Sequence, residues 1–413
     1  MSQLIETIVF QEIIKRTNLK DNIMAVYQKQ GKVPHKRHIV FRKPNGELYH
    51  EELFGTEGFS GVSSLLYHLY PPTMVEEIRK PYSVKPEIAV EDNITAMSFL
   101  SFDVTPESDY ISSRKVMFFN NDIAVGVAAP TESMNDYFFK NADADELIFV
   151  NKGSGVMKTA YGSVEFEYGD YLVIPRGTVY QFIFNDSENK LLITESYSPI
   201  KTPSRYTNDS GQFLEHSPFC ERDFKVPTNL ETHDEMGRFE IRIKKKDVIY
   251  STVYQSHPFD LIGWDGCNYP YAFSIFNFEP ITGRIHMPPP IHQTFEGAGF
   301  VICSFVPRLY DYHPDAIPAP YHHSNIDSDE LLYYVDGDFM SRNNIQKGQI
   351  TLHPAGVPHG PHPGAIERSI GKKETGELAV MIDPFAPVNI TKEAMNIEVK
   401  DYYKSWRKEG ELA

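Results

Sequence analysis

Two histidines and one glutamate near the end of the chain carry the spacing most suited to chemistry. His323-x-Asn325-x4-Glu330 is followed after six residues by Gly337, and Gly348-x5-Pro354-x-Gly356-x2-His359 comes next. Eight of the fifteen histidines fall between His286 and His362, so ligand-type side chains are concentrated there. Two imidazoles and one carboxylate on one side of a metal ion leave its other positions open, the donor set of non-haem Fe(II) in O2 chemistry. That chemistry requires residues far apart in sequence to meet.

The flanking residues describe how they would meet. His323 and Asn325 are two apart, so on a strand they share a face. Residues 324–329 are rich in turn formers, and 330–335 read as a strand ended by the tight-turn pair Asp336-Gly337. Gln349 to Leu352 read as the next strand, and Pro354, Gly356 and Pro358 turn the chain into His359. Pairing of these strands brings His323, Glu330 and His359 together. The two patterns resemble the paired motifs of the cupin fold, with Asn325 where many cupins carry a further histidine.

The same pattern occurs earlier without its ligands. Glu146 is followed after six residues by Gly153, and Gly169-x5-Pro175-x-Gly177-x2-Tyr180 copies the second motif. The turn glycines and proline remain, whereas Phe139, Asn141 and Tyr180 stand at the ligand positions. An internal repeat with one intact site predicts two like domains, the first metal-free. The expected division is an N-terminal helical extension at 1–30, a metal-free cupin-like domain at 31–275, an iron-binding cupin domain at 276–390 and a helical tail at 391–413.

Other stretches are weaker signals. Leu4, Ile5, Ile8, Val9 and Ile13 have helical spacing within residues 3–17. His35, Lys36, Arg37 and His38 form a basic cluster with no acidic partner to complete a metal site. Residues 257–271 read as a loop anchored by Trp264. The proline run between His286 and His292 resists helix and makes a stiff rim. His292 suits a strand cap there, and His286 suits either support of a ligand or a general base. Residues 377–382 read as a buried strand and 391–409 as a charged helix.

Composition bounds the class of protein. With 413 residues, 29 prolines, 26 glycines and 13% aromatics, the chain fits a turn-rich, mainly β double domain. A net charge of -16 argues against binding nucleic acid or an anionic membrane surface. Cys220, Cys267 and Cys303 have no pairing pattern, which fits a reduced, cytoplasmic setting. No apolar run is long enough to span a membrane, and the N-terminus lacks the features of a secretory signal.

Six segments together give a family resemblance: PHKRH at 34–38, GTEGFSG at 55–61 running on through SSLLYH, HPFDLIGW at 257–264, FVIC at 300–303, YHHSN at 321–325 and PHGPHPGA at 358–365. From about Gly31 into the 380s the chain resembles the homogentisate 1,2-dioxygenase family. The resemblance implies a double cupin of two jelly-roll barrels with short peripheral helices and a degenerate first barrel. It places Fe(II) on His323, Glu330 and His359, an acid/base histidine on His286 and a further active-site histidine on His353. Substrate contacts fall on His359, Tyr333 and Phe339. The implied reaction opens homogentisate, a small aromatic acid, with O2 to give 4-maleylacetoacetate in tyrosine and phenylalanine breakdown. A homo-oligomer, trimer or hexamer, is also implied.

Two departures keep alternatives open. The gap from His323 to Glu330 is one residue longer than in better-known members, so Asp327 and Asp329 compete as carboxylate ligands; Glu330 keeps the spacing to Gly337. Phe339 stands where the family often has a substrate-contacting tyrosine, which leaves another hydroquinone such as gentisate open. A metal-binding bicupin without oxygenase activity and a Zn or Mn isomerase are the remaining readings. Arg308, Arg342 and Arg368 are the candidate cations for a substrate carboxylate.

Overall fold

The computed structural model describes residues 26–339 and 345–407. The helix expected at 3–17 and the candidate Arg342 lie outside them. The fold is mainly β, a double cupin with only short helices. Among the described residues no helix is long and apolar enough to cross a membrane.

The central strands are apolar almost throughout because each divides its side chains between two cores. In Asp145–Lys152, Ile148 and Val150 point into the interior of the first barrel, whereas Leu147 and Phe149 point toward the second half of the chain. Asp170–Ile174 does the same, with Leu172 and Ile174 on one side and Tyr171 and Val173 on the other. Two eight-stranded sheets form the walls of that first barrel. The second half is built on a six-stranded sheet running Gln293–Gly297, Phe300–Phe305, Leu378–Pro384, Glu330–Asp336, Gln349–His353 and Met97–Leu100.

The six-stranded sheet sends Ile302, Leu331, Tyr333, Val335, Val380 and Ile382 into the core shared with the first half. Tyr171 Oη lies 2.8 Å from Ser304 Oγ across it, and the Phe149 and Tyr333 rings meet edge-on at 6.3 Å. Each large side chain removed from water there contributes about 1.5–3 kcal/mol, so this shared core joins the halves. Two strands also cross between them. Met97–Leu100 extends the six-stranded sheet beside residues 349–352, and Asn389–Ile390 pairs with Phe118 and Phe119 of the first barrel.

The repeat is preserved in backbone register. Tyr180 pairs with Phe139 as His359 pairs with His323. Glu146 lies opposite Ile174 as Glu330 lies opposite His353. The turn glycine after each acidic strand is left-handed, Gly153 at φ 100° and Gly337 at φ 93°. At Gly337 a Cβ would also stand 1.9 Å from the Gly376 carbonyl oxygen, so no other residue fits.

Two local expectations need correction, and an expected buried strand is present with shifted ends. Residues 257–271 are not simply a loop: Leu261–Gly266 is a strand, and Trp264 is fully buried with its indole N–H donated to Tyr161 O at 2.8 Å. The strand read at 377–382 runs Leu378–Pro384. Of the helix expected at 391–409, the described residues 391–407 are not one helix. Thr391 caps the short helix Lys392–Met395, Asp401 turns left-handed at φ 62°, and a 3-10 turn follows at Tyr402–Trp406.

Candidate metal centre

His323 and His359 face each other in a two-way backbone bridge, each N–H donating to the other's carbonyl at 2.9 Å. The bridge sets both side chains over the end of the strand that begins with Glu330. One ligand atom from each of His323, Glu330 and His359 lies within 4.8 Å of the others. No other group of three such residues converges in this way among the described residues.

The rings are fixed by their second nitrogens. His323 Nδ1 lies 3.2 Å from Tyr321 O, and His359 Nδ1 lies 3.0 Å from Val357 O. A carbonyl accepts only, so each Nδ1 carries the proton and each Nε2 presents a lone pair. The two Nε2 atoms stand 3.7 and 3.6 Å from the same oxygen, Glu330 Oε2. His359 Nε2 is buried and has no hydrogen-bond partner among the described residues. A buried acceptor left so is costly unless a ligand completes it. Two lone pairs and one anionic oxygen aimed at one point fit a divalent metal ion, with its other positions open.

His353 completes the support. Its Nδ1 is 2.7 Å from Glu330 Oε1, and its ring stacks on His359 at 4.6 Å. Burial opposes charge on Glu330, but the three surrounding imidazoles outweigh it and hold the carboxyl well below its ordinary pKa. Of the three, only His353 is close enough for a hydrogen bond. Burial and the charge of Glu330 push the Asp383 carboxyl, by contrast, well above the ordinary carboxylate range.

The competing carboxylates are committed elsewhere or stand apart. Asp329 accepts from Ala355 N at 2.7 Å and Val388 N at 2.8 Å, tying both loops beneath the site. Asp327 is exposed and is not among the converging residues.

The remaining expected residues separate into near and far. His286 lies on the rim, its Nδ1 3.2 Å from Asp311 Oδ2. Tyr321 bridges it to the cluster, its ring 5.4 Å from His286 and 6.2 Å from His323. Phe339 packs edge-on against Tyr334 on the Glu330 side of its strand. Tyr333 does not join the site: strand alternation turns it away from Glu330 into the core against Phe149. His292 stands at the start of the strand Gln293–Gly297, buried against Phe305, and burial with Arg308 nearby lowers its pKa to about 3.

Sequence reasoning missed Trp406. Its indole N–H donates to Gly360 O at 3.0 Å, and its ring meets His362 at 4.5 Å and His353 at 6.2 Å. The tail thus closes over the turn that presents His359. Its rarity was the available signal, since the chain has two tryptophans. A cavity of about 450 Å³ beside Tyr321 was also not foreseen; Arg284, Ile285, His286, Asp311 and Ile317 help to line it.

A profile described as the N-terminal part of homogentisate 1,2-dioxygenase matches residues 30–275, more than half of the chain. The chain belongs to the homogentisate 1,2-dioxygenase family. A provisionally named dioxygenase of Saccharolobus solfataricus is 40% identical over 385 residues, covering 93% of this chain and 99% of its own. A homogentisate 1,2-dioxygenase of Bradyrhizobium diazoefficiens is 27% identical over 335 residues, covering 75% and 73%. Among solved structures, a cupin 2 conserved barrel domain protein of Leptotrichia buccalis aligns over 76% of this chain and all of its own, at 11% identity and a TM-score of 0.30. Membership makes a dioxygenase the supported activity class for the His-Glu-His cluster.

In this member of the homogentisate 1,2-dioxygenase family the equivalent place in the first barrel holds an ion-pair network. Arg114 lies 2.6 Å from Glu146 Oε1 and also bonds Glu195, while Tyr180 Oη donates to Glu146 Oε2 at 2.8 Å. Both oxygens of Glu146 are therefore engaged by a guanidinium and a phenol.

Proposed function

We propose that the chain opens the ring of homogentisate with O2, giving 4-maleylacetoacetate, at Fe(II) held by His323, Glu330 and His359. The observation that carries this reading is the convergence of two Nε2 lone pairs on Glu330 Oε2 in a chain of this family. Bound there, Fe(II) would supply the electron exchange between ring and O2 that side chains cannot. The second half, residues 276–390, is the proposed iron-binding domain, and residues 31–275 the supporting one.

The residues around the cluster have definite tasks in this proposal. Asp311 orients His286 by its Nδ1, which leaves Nε2 to accept the proton of a ring hydroxyl. General-base help of this kind contributes ~100- to 10,000-fold. His353 keeps the Glu330 carboxylate turned to the metal, and Ile285, Ile317 and Tyr321 give the aromatic ring an apolar wall. The cavity's size of about 450 Å³ suits a single-ring acid. The cytoplasm is the proposed compartment, and a trimer or hexamer the proposed assembly.

The deciding experiment is anaerobic reconstitution with Fe(II), then oxygen uptake on adding homogentisate, with the ultraviolet band of the ring-opened product. Stoichiometric uptake with product supports the reading. Uptake with gentisate alone transfers the activity to that hydroquinone, with Phe339 in place of the hydroxyl-bearing residue as the explanation. Retained iron with no uptake on either acid favours a bicupin that is not an oxygenase.

A further inference from the structure

The cavity lined by Tyr321, whose ring stands 6.2 Å from that of His323, has one feature that the proton-transfer and metal-binding residues do not use. Arg284 lies on its wall two residues before His286. The cavity's two carboxylates each have a histidine partner: Asp311 with His286 at 3.2 Å, and Asp315 with His313 at 3.9 Å. Arg284 is the only lysine or arginine on the lining, and it makes no hydrogen bond or ion pair among the described residues. In a chain of net charge -16 a guanidinium with no carboxylate partner is an available anion site.

The two other candidate cations among the described residues, Arg308 and Arg368, are already engaged. Arg308 is 3.2 Å from Glu377, and its other guanidinium nitrogen donates to Val306 O at 3.1 Å. Arg368 lies on the helix Ala365–Ser369, reaches back toward Pro363 O and does not line the cavity. The rest of the cavity is apolar where an aromatic ring would rest, on Ile285, Ile317, Ile366 and Tyr321.

We propose that Arg284 is the carboxylate-binding residue of the substrate cavity, and that it selects hydroquinone acids over neutral hydroquinones. This deepens the ring-opening reading and rests on it for the identity of the ring. In the bound acid the guanidinium pairs with the side-chain carboxylate, while the ring hydroxyls face His286 and the cluster beyond Tyr321. Arg284 acts by binding and orientation and moves no proton. Its contribution is made equally in the ground and transition states, so its loss raises KM and leaves kcat nearly unchanged.

The test compares homogentisate with its methyl ester, which keeps the ring and removes the charge, on the wild-type protein and on Arg284→Met and Arg284→Lys. Anaerobic calorimetry reads binding, and oxygen uptake by the Fe(II)-loaded protein reads turnover. The expected result is that Arg284→Met weakens binding of the acid and raises its KM by about 10- to 100-fold. The ester should bind wild type and variant alike, and Arg284→Lys should recover part of the loss. Equal weakening for acid and ester, or none for the acid, overturns the proposal. Ring opening without preference for the acid overturns it while leaving the oxygenase reading intact. Selective loss of acid binding in a protein that consumes no O2 supports the carboxylate site and overturns the oxygenase reading instead.

Discussion

His353 and Glu330 are cross-strand partners whose side chains meet at 2.7 Å, Nδ1 to Oε1, at the edge of the metal cluster. The same imidazole stacks on His359 at 4.6 Å, with an interplanar angle of 10°. One residue outside the converging set therefore fixes two within it. Replacing it frees the Glu330 carboxylate to rotate and removes the surface on which His359 rests. His353→Ala is expected to lower Fe(II) affinity about 10- to 100-fold while the protein stays folded. Chelator competition followed by metal analysis measures this, and an unchanged affinity would show that His353 acts only at the substrate.

Trp406 acts one layer farther out. Its indole N–H bonds Gly360 O, next to His359, and its ring packs on His362. Trp406→Phe keeps most of the ring and loses the hydrogen bond, at a cost of about 1 kcal/mol. Trp406→Ala loses the packing as well. Metal affinity is expected to fall in that order, with Phe intermediate. Equal affinities in all three proteins would mean that the tail covers the turn without positioning it.

In the first barrel the pair Arg114–Glu146 is the corresponding fastening. Glu146 has no exposed side-chain surface, and Arg114 also supports Glu195, which Lys244 bonds from another strand. Burial opposes the charge on Glu195, and Lys244 with Arg114 overcomes it. Arg114→Met leaves two buried carboxylates short of a cation, at a cost of about 3–5 kcal/mol. Adding Glu146→Leu to that variant should restore part of the loss. Urea midpoints of the three proteins check the sequence of effects, and Fe(II) affinity should be the same in all of them.

Much of this arrangement was legible because turns and ligands obey local rules. The spacings Glu330 to Gly337 and Gly348 to His359 specified two corners, and the copy at residues 139–180 specified the repeat. Register then followed, since the period-two pleat fixes which residues share a face. That rule also identifies the error at Tyr333, which is an odd number of residues from Glu330 and so faces the other core. Arg114, Asp329 and Trp406 were illegible for another reason. Each acts on residues 25 or more positions away, and nothing in its own neighbourhood announces the partner. Asp329 could be weighed as a ligand from sequence, but its two bonds to Ala355 and Val388 backbone could not. Residues 257–271 misled because Gly263, like Gly266, suggests a loop. Its reason is close approach: a Cβ there would stand 2.3 Å from Lys32 O.

The family segments ending at His68 and spanning His257–Trp264 meet at a buried charge. His68 Nδ1 is 2.6 Å from Asp260 Oδ1, and its Nε2 is 2.9 Å from Glu52 Oε2. Burial works against the imidazolium, but the bonds to Asp260 and Glu52 prevail and raise its pKa to about 9. The folded state thus holds a proton that the unfolded chain, with an ordinary histidine near 6.5, releases earlier. Below pH ~6.5 both states are protonated and the contribution is fully present; as pH rises toward about 9 the unfolded state alone has lost its proton, and stability falls. The shift corresponds to a loss on the order of 3 kcal/mol across that window. Urea unfolding of wild type and His68→Gln at pH 6 to 10 isolates the effect, because the other titrating groups are common to both. The wild-type advantage should shrink steadily between pH ~6.5 and 9. A difference independent of pH would show that His68 is neutral, and that it joins the two segments by hydrogen bonds alone.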